Sequence, residues 1–175
     1  NASYTPVGSG IDQIEIELDG TPISRSPYTS RVTTSDISGS VSTVQAAQTS
    51  VTAGNSTEVS IELRDASGNA IIGLTNRDFD VDVSGSASAG TVGEVTPEGT
   101  YRFSVSSSTA ERVTVTVVAG GVTLEESPQI TFTPGAPRLV VISSQPLNSV
   151  AGEPIQNSPA VRVTDEFGNP VPELD

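Results

Sequence analysis

Two segments of the sequence recur about 100 residues further on, and this period limits the fold more than any other feature of the chain. Residues 4–27 align with residues 105–128 at a constant offset of 101 and without a gap. The sequence Asp-Ala-Ser-Gly-Asn at 65–69 returns as Asp-Glu-Phe-Gly-Asn at 165–169, and an Ala-Gly pair stands upstream of each copy. A unit of about 100 residues is the size of one sandwich domain. The chain is therefore predicted to contain the C-terminal part of one repeat (1–35), a complete repeat (36–134) and the N-terminal part of a third (135–175).

Apolar and polar residues alternate with a period of two wherever the sequence is regular. In residues 59–64, 79–83 and 113–117, every second side chain is apolar and the side chains between are polar or charged. This pattern is typical of strands with one face in a core and the other in water. No stretch carries an apolar stripe with the helical period. The predicted fold class is all-β, in repeats whose set of strands resembles an immunoglobulin-like β-sandwich. The complete repeat is expected to have seven strands, near residues 40–48, 57–64, 70–73, 79–84, 99–106, 112–119 and 122–133.

The residue types that most enzymes use for nucleophilic catalysis are missing. The chain has no histidine and no cysteine, which excludes Ser-His-Asp and Cys-His sites, disulfides and the usual zinc ligands. A glycosidase-type carboxylate pair stays open among the 21 acidic residues. Those residues, however, fall on alternating strand faces and in turns, where solvation explains them. No catalytic residue is predicted, and the chain is not expected to be an enzyme.

The charge of the chain is strongly acidic. The 21 acidic residues face eight basic ones, giving a net charge of −13, and all eight basic residues are arginines. Such a surface repels the phosphates of nucleic acids and anionic lipids, so we expect neither a nucleic-acid partner nor membrane insertion. Two explanations stay open. One is solubility in a genome that favours arginine codons, and the other is a halophilic surface whose repulsion is screened by high salt.

Two predicted turns offer oxygen ligands of the kind that calcium prefers. These are Asp65 with Asn69 in one turn, and Asp165 and Glu166 with Asn169 in the other. Neither turn has the spaced acidic ladder of a dedicated calcium loop. The first interpretation is therefore that the side chains stabilise the turns, and the second is a calcium ion at a repeat junction. No other cofactor is predicted.

Sugar recognition and glycosylation rest on only a few residues. The chain has no tryptophan, and only Tyr28 and Phe167 are candidates for an exposed aromatic ring. A core or junction role is the preferred interpretation of both. Asn1 and Asn55 each begin an Asn-x-Ser/Thr sequence, and Asn55 falls in a predicted surface loop, which makes both candidate glycosylation sites.

Two sets of motifs resemble known immunoglobulin-like repeats. Residues 3–6 (Ser-Tyr-Thr-Pro), 19–20 (Asp-Gly) and 23–28 (Ile-Ser-Arg-Ser-Pro-Tyr) resemble the end of a filamin-type repeat. Arg25, and Glu126 in the central copy, stand where that family usually has glycine. Residues 144–171, with Val-Arg-Val-Thr-Asp-Glu-Phe-Gly-Asn-Pro-Val at their end, are similar to the repeats of invasin/intimin-type adhesins. The resemblance implies an extracellular spacer or adhesion repeat.

Three functions follow as hypotheses. The first is a structural or adhesive spacer at the cell surface, in a stalk, adhesin or surface layer, with neighbouring repeats of the same chain as its partners. The second is a fibre in which strands of one subunit complete the partial domains of the next. The third is a module that binds a glycan or a protein.

Overall fold

The structure is a computed structural model of the 175-residue chain, and it describes residues 4, 10–32, 36–155 and 157–172. Strands and turns make up almost all of this part, and its helical content is a single 3-10 turn at Asn76–Asp78. The prediction of an all-β chain is therefore confirmed. Among the described residues, no helix has both the length and the apolar character needed to cross a bilayer.

The first part of the chain forms four short strands, β1 (Gly10–Ile14), β2 (Glu17–Leu18), β3 (Thr21–Pro22) and β4 (Tyr28–Val32). Strand β1 pairs antiparallel with β4, and β2 pairs with β3 across a tight hairpin. Asp19 and Gly20 form the hairpin turn with φ of 51° and 73°, the left-handed conformation that such two-residue turns require. Residues 1–3, 5–9 and 33–35 of the predicted partial repeat lie outside the described residues.

The central part of the chain forms an immunoglobulin-like sandwich of two sheets. In the first sheet, β5 pairs with β7, β7 with β11, and β11 with the interrupted edge strand β9/β10. In the second, β8 and β14 flank β12, with β13 paired to the end of β12, and β6 lies parallel to β14 at the edge. The strands are β5 (Thr43–Ala46), β6 (Ser50–Thr52), β7 (Ser56–Glu62), β8 (Phe79–Val83), β9 (Ser88–Ala89), β10 (Gly93–Val95), β11 (Thr100–Ser106), β12 (Arg112–Ala119), β13 (Val122–Thr123) and β14 (Gln129–Thr133).

Alternating residues of the two sheets meet in one hydrophobic core. Val113, Val115 and Val117 of β12 are fully buried, and Val59 and Ile61 of β7 face them from the other sheet. Burial of each such side chain contributes on the order of 1.5–3 kcal/mol. The remaining core side chains are Val44, Val51, Leu63, Ile71, Val92, Tyr101, Phe103, Val105, Ala119, Leu124, Ile130 and Phe132.

The prediction of a strand at residues 70–73 is wrong. Ala70 makes only an isolated bridge to Arg64, and the Tyr101 hydroxyl donates a 3.0 Å hydrogen bond to the carbonyl oxygen of Ile71. The N–H of Ile71 still donates a 2.9 Å hydrogen bond to the carbonyl oxygen of Leu63, so the tyrosine side chain takes the place of a neighbouring strand only at the Ile71 carbonyl.

The structure also divides or adds strands at the edges of the sandwich. The edge strand β9/β10 was not predicted. The predicted strand at 40–48 is shorter, and the chain changes sheet before β6. The predicted strand at 122–133 is interrupted between β13 and β14, and there the Glu126 carboxylate accepts a 2.8 Å hydrogen bond from the backbone N–H of Val44.

The third part of the chain contains one antiparallel pair, β15 (Leu139–Ser144) and β16 (Ala160–Thr164), with a register irregularity between Ile142 and Ser144. Most apolar side chains of this pair are exposed.

The register of the hairpins agrees with the sequence repeat. Glu17 pairs with Pro22 in the first part, and Val118 pairs with Thr123 in the central part, again 101 residues further on. The following strands, β4 and β14, also have equivalent bounds. The segment before them differs, because Glu126 does not have a positive φ, whereas its equivalent Arg25 takes a φ of 72° in the first part. This is the conformation that glycine adopts most easily.

Candidate functional site at the repeat junction

The turn at 165–169 is held together by the side chain of its first residue. One carboxylate oxygen of Asp165, Oδ1, accepts hydrogen bonds of 2.9 Å from the backbone N–H groups of Phe167 and Asn169. The Asn169 side-chain amide donates a 2.8 Å hydrogen bond to the second oxygen, Oδ2. Gly168 has a φ of 88°, which glycine adopts without steric cost. The spacing Asp-x-x-Gly-Asn therefore fixes the shape of the turn locally, as predicted.

The central repeat contains the same turn at 65–69. The backbone N–H groups of Ser67 and Asn69 donate 2.9 Å hydrogen bonds to Oδ1 of Asp65, and the Asn69 side-chain amide donates one of the same length to Oδ2. Gly68 has a φ of 86°. Asp, Gly and Asn at the same spacing thus give the same geometry in both turns.

Asn169 connects its own turn to the central sandwich. Its side-chain oxygen accepts a 2.8 Å hydrogen bond from the backbone N–H of Ala110, and its side-chain amide donates a 2.9 Å hydrogen bond to the carbonyl oxygen of Ser108. The backbone N–H of Gly135, in the segment between the repeats, donates a 2.9 Å hydrogen bond to Oδ2 of Asp165. Asp165 and Asn169 are consequently only 1% and 6% exposed. We call this set of contacts the joint.

Phe167 adds an apolar contact to the joint. Its ring lies directly on Gly54, close enough that a Cβ atom on that glycine would be 2.5 Å from the nearest ring carbon. The ring is 48% exposed and separates two clefts of about 340 and 330 Å³. The first cleft is lined by the 135–138 linker and the second by serines of the central repeat, including Ser86 and Ser107.

The electrostatics of the joint favour an ionised Asp165. Burial raises the pKa of this carboxyl, but the hydrogen bonds from the Asn169 side chain and from the backbone of Gly135, Asn169 and Phe167 outweigh it and lower the pKa to about 2. Hydrogen bonds that are made only to the charged form stabilise that form. The carboxylate is therefore a permanent acceptor near neutral pH.

The predicted calcium ligands take distinct positions in this arrangement. Asp165 and Asn169 lie together in the joint, Glu166 forms an exposed ion pair with Arg138 at 3.9 Å, and Asp65 and Asn69 form the equivalent turn of the central repeat. Both oxygens of Asp165 already accept N–H groups. Within the described ranges there is no group of three or more acidic residues with metal-binding geometry. Calcium binding at these turns stays a prediction.

The candidate glycosylation and aromatic residues also take different positions in the structure. Asn55 is exposed and lines the cleft beside Phe167, whereas Asn1 lies outside the described residues. Glycosylation of either asparagine stays a prediction. Tyr28 is 40% exposed, and its hydroxyl donates a 3.0 Å hydrogen bond to the carbonyl oxygen of Ser24.

The sequence did not predict which residues of the central repeat the 165–169 turn contacts. Ser108 and Ala110 contribute only backbone atoms, so their side chains carry no signal. Gly54 did carry one, because the Ala-Gly pair recurs at 151–152. Its role as a contact for an aromatic ring was not inferred.

Comparisons with known proteins agree with this architecture. The structure of FdeC, an adhesin of Escherichia coli, superposes with a TM-score of 0.70 at 23% identity over 95% of this chain and 54% of that one. InvD of Yersinia pseudotuberculosis gives 0.68 at 19% identity over 93% and 52%, and invasin, described as a bacterial integrin-binding protein, gives 0.63 at 21% identity over 91% and 32%. The chain thus spans about half the length of the first two structures and a third of the last.

At these identities the structural likeness shows the fold alone. No curated protein sequence matches the chain. A family model described as invasin, domain 3, matches residues 38–135, which is more than half of the sequence. The chain belongs to the invasin domain 3 family.

Proposed function

We propose that the chain is a spacer segment of a cell-surface adhesin, in which consecutive immunoglobulin-like repeats hold a binding region away from the cell. The observation that carries this proposal is the joint. A side chain of the third repeat, Asn169, makes two hydrogen bonds to the backbone of the central repeat, and Asp165 makes one to the linker. Contacts of this kind fix one repeat against the next, which a spacer needs and an isolated binding module does not.

Family membership, structural likeness and composition support the same proposal. The invasin domain 3 match covers the central repeat, and the FdeC and InvD structures superpose over more than nine tenths of the chain. The FdeC structure, which is described as an adhesin, thus shares this arrangement of strands. The absence of histidine and cysteine is consistent with a structural role.

Two measurements test the proposal. An antibody against the central repeat should label intact cells of the source organism, and external protease should remove the label. Labelling only after lysis would contradict a surface location. The purified 175-residue chain should also fail to inhibit adhesion of those cells, because a spacer does not occupy the receptor. Inhibition at micromolar concentration would favour the binding-module hypothesis.

A second candidate function is assembly through the partial repeats, and one observation favours it. Ile16 and Leu18 are 43% and 69% exposed in the first part, although their equivalents in the central repeat, Val117 and Ala119, are fully buried. Apolar strand faces of this kind bind complementary strands. In the spacer proposal the rest of each repeat covers these faces, and in a fibre an adjacent subunit does. Sedimentation of the 175-residue chain at increasing concentration separates the two, since only fibre assembly gives oligomers that grow head to tail.

A further inference from the structure

The Ala-Gly pair occurs in two of the repeats with the same backbone conformation. Gly54 has a φ of 91° and Gly152 a φ of 92°. In the central repeat the position above this glycine is covered by the ring of Phe167, which belongs to the following repeat. In the third repeat, no described atom lies within 4 Å of the Cβ position of Gly152. The pair is thus a recurring turn, and at Gly54 a residue of the following repeat covers it.

The contact at Gly54 requires the absence of a side chain. A Cβ atom there would lie 2.5 and 2.6 Å from Cε2 and Cζ of Phe167, well inside the 3.5–4.0 Å at which carbon atoms attract each other. The ring therefore packs on the glycine backbone itself. Since the positive φ also favours glycine, the residue meets a conformational and a steric requirement at once.

The two copies of the Asp-x-x-Gly-Asn turn differ at the second position, Ala66 and Glu166, and at the third, whose side chain is the one that contacts Gly54 in the third repeat. Phe167 occupies the third position in the third repeat and Ser67 in the central repeat, while the internal hydrogen bonds of the two turns are the same. The cross-repeat hydrogen bonds of Asp165 and Asn169 go to backbone atoms. Any repeat of this fold provides such atoms, so these bonds do not distinguish one neighbouring repeat from another.

We propose that the glycine of the Ala-Gly turn is the docking surface for the third residue of the next repeat's Asp-x-x-Gly-Asn turn, and that Phe167 determines how tightly this joint closes. The partner is therefore another repeat that carries the same turn, and an aromatic residue at its third position gives the closed joint its apolar contact. This inference deepens the proposed function and rests on it in requiring consecutive repeats.

Hydrogen exchange in the 175-residue chain tests the inference, with the backbone N–H groups of Ala110 and Gly135 as reporters. Both donate to side chains of the 165–169 turn. Phe167→Ser introduces the residue that the central turn already has at this position. We expect it to accelerate exchange at both reporters by about tenfold, because part of a large apolar side chain loses its contact. The backbone N–H of Val115, which bonds to Pro128 inside the sandwich, should exchange as before.

The two glycines provide a matched pair. Gly54→Ala should accelerate exchange at Ala110 and Gly135, whereas Gly152→Ala carries the same backbone strain at an uncovered site and should leave both unchanged. In the Phe167→Ser background, Gly54→Ala should add little further acceleration at Gly135.

Two results would overturn the inference: unchanged exchange at both reporters in Phe167→Ser, or equal effects of the two glycine variants. Phe167 is half exposed and lies outside the central core, so its variant keeps the test valid even if Gly54→Ala unfolds the sandwich. Either negative result would leave surface labelling of intact cells, and hence the spacer proposal, unaffected.

Discussion

The Asp165 carboxylate is the most constrained polar group of the joint. It accepts four N–H groups, from Gly135, Phe167 and both the backbone and the side chain of Asn169. A carboxylate has about four lone-pair positions, so its acceptor capacity is used completely. The joint therefore depends on this group being charged.

Acid should weaken the joint within a definite pH range. The pKa of Asp165 is about 2 in the folded chain, compared with about 3.9 for an unperturbed aspartate. The stabilisation is therefore complete above about pH 4 and is lost as the pH falls toward 2. We expect the Gly135 amide proton to titrate with an apparent pKa near 2 in NMR spectra. Asp165→Asn should abolish this titration, and a midpoint near 4 in the unmodified chain would contradict the hydrogen-bond pattern.

The sequence predicts one half of this site and not the other. Asp, Gly and Asn at positions 1, 4 and 5 of the segment predict the turn, because these residue types satisfy backbone groups locally and tolerate positive φ. The cross-repeat partners of Asn169 are the carbonyl oxygen of Ser108 and the N–H of Ala110. Every residue carries such groups, so no pattern of side chains marks them.

Among the strands, those with regularly alternating apolar residues are the ones that the sequence predicts well. Strands β7, β8 and β12 have alternating apolar residues and lie close to their predicted positions. The edge strand β9/β10 consists largely of serine, glycine and small residues of low β-propensity. Its side chains are mostly exposed, so little apolar alternation is required of it. In the segment 70–73, by contrast, a tertiary contact of Tyr101 takes the place of a neighbouring strand at the Ile71 carbonyl.

Equivalent strand positions differ in burial, so mutations at them are predicted to lower the free energy of unfolding by different amounts. Ile61 on β7 is fully buried, whereas Val161, its equivalent 100 residues later on β16, is 63% exposed. Ile61→Ala should lower the free energy of unfolding of the central repeat by about 2–5 kcal/mol, because it leaves a cavity in the core. Val161→Ala, the matched control, should change it by less than about 0.5 kcal/mol. Urea unfolding of the 175-residue chain measures both, and equal costs would contradict the assignment of the core.

The molecule as a whole carries many more carboxylates than cations. Its net charge is −13, and the described residues form three ion pairs, all exposed. Exposed pairs contribute little, so repulsion between the remaining carboxylates opposes folding at low ionic strength.

Added salt should therefore stabilise the chain. Raising the ionic strength from 0.01 to 0.15 M shortens the screening length from about 30 to about 8 Å. We expect Tm to rise by several degrees over this range, since about 1 kcal/mol shifts the Tm of a 60–100-residue domain by about 4–8 °C. Calorimetry in NaCl and in KCl separates screening from effects of a particular cation. A further rise between 1 and 4 M would support the halophilic explanation, and a Tm independent of salt would contradict both effects.

The parallel pairing of β6 with β14 has a mechanical consequence for a chain under tension. Strand β6 lies near the start of the central repeat and β14 at its end, and they run in the same direction. Pulling the two ends of the repeat apart slides these strands past each other along their length. The hydrogen bonds from Thr131 to Thr49 and from Ala53 to Thr133 then bear the load together and must break together. We therefore expect this sandwich to unfold only at high force when it is stretched from its ends, although the chain has no cysteine to form a disulfide.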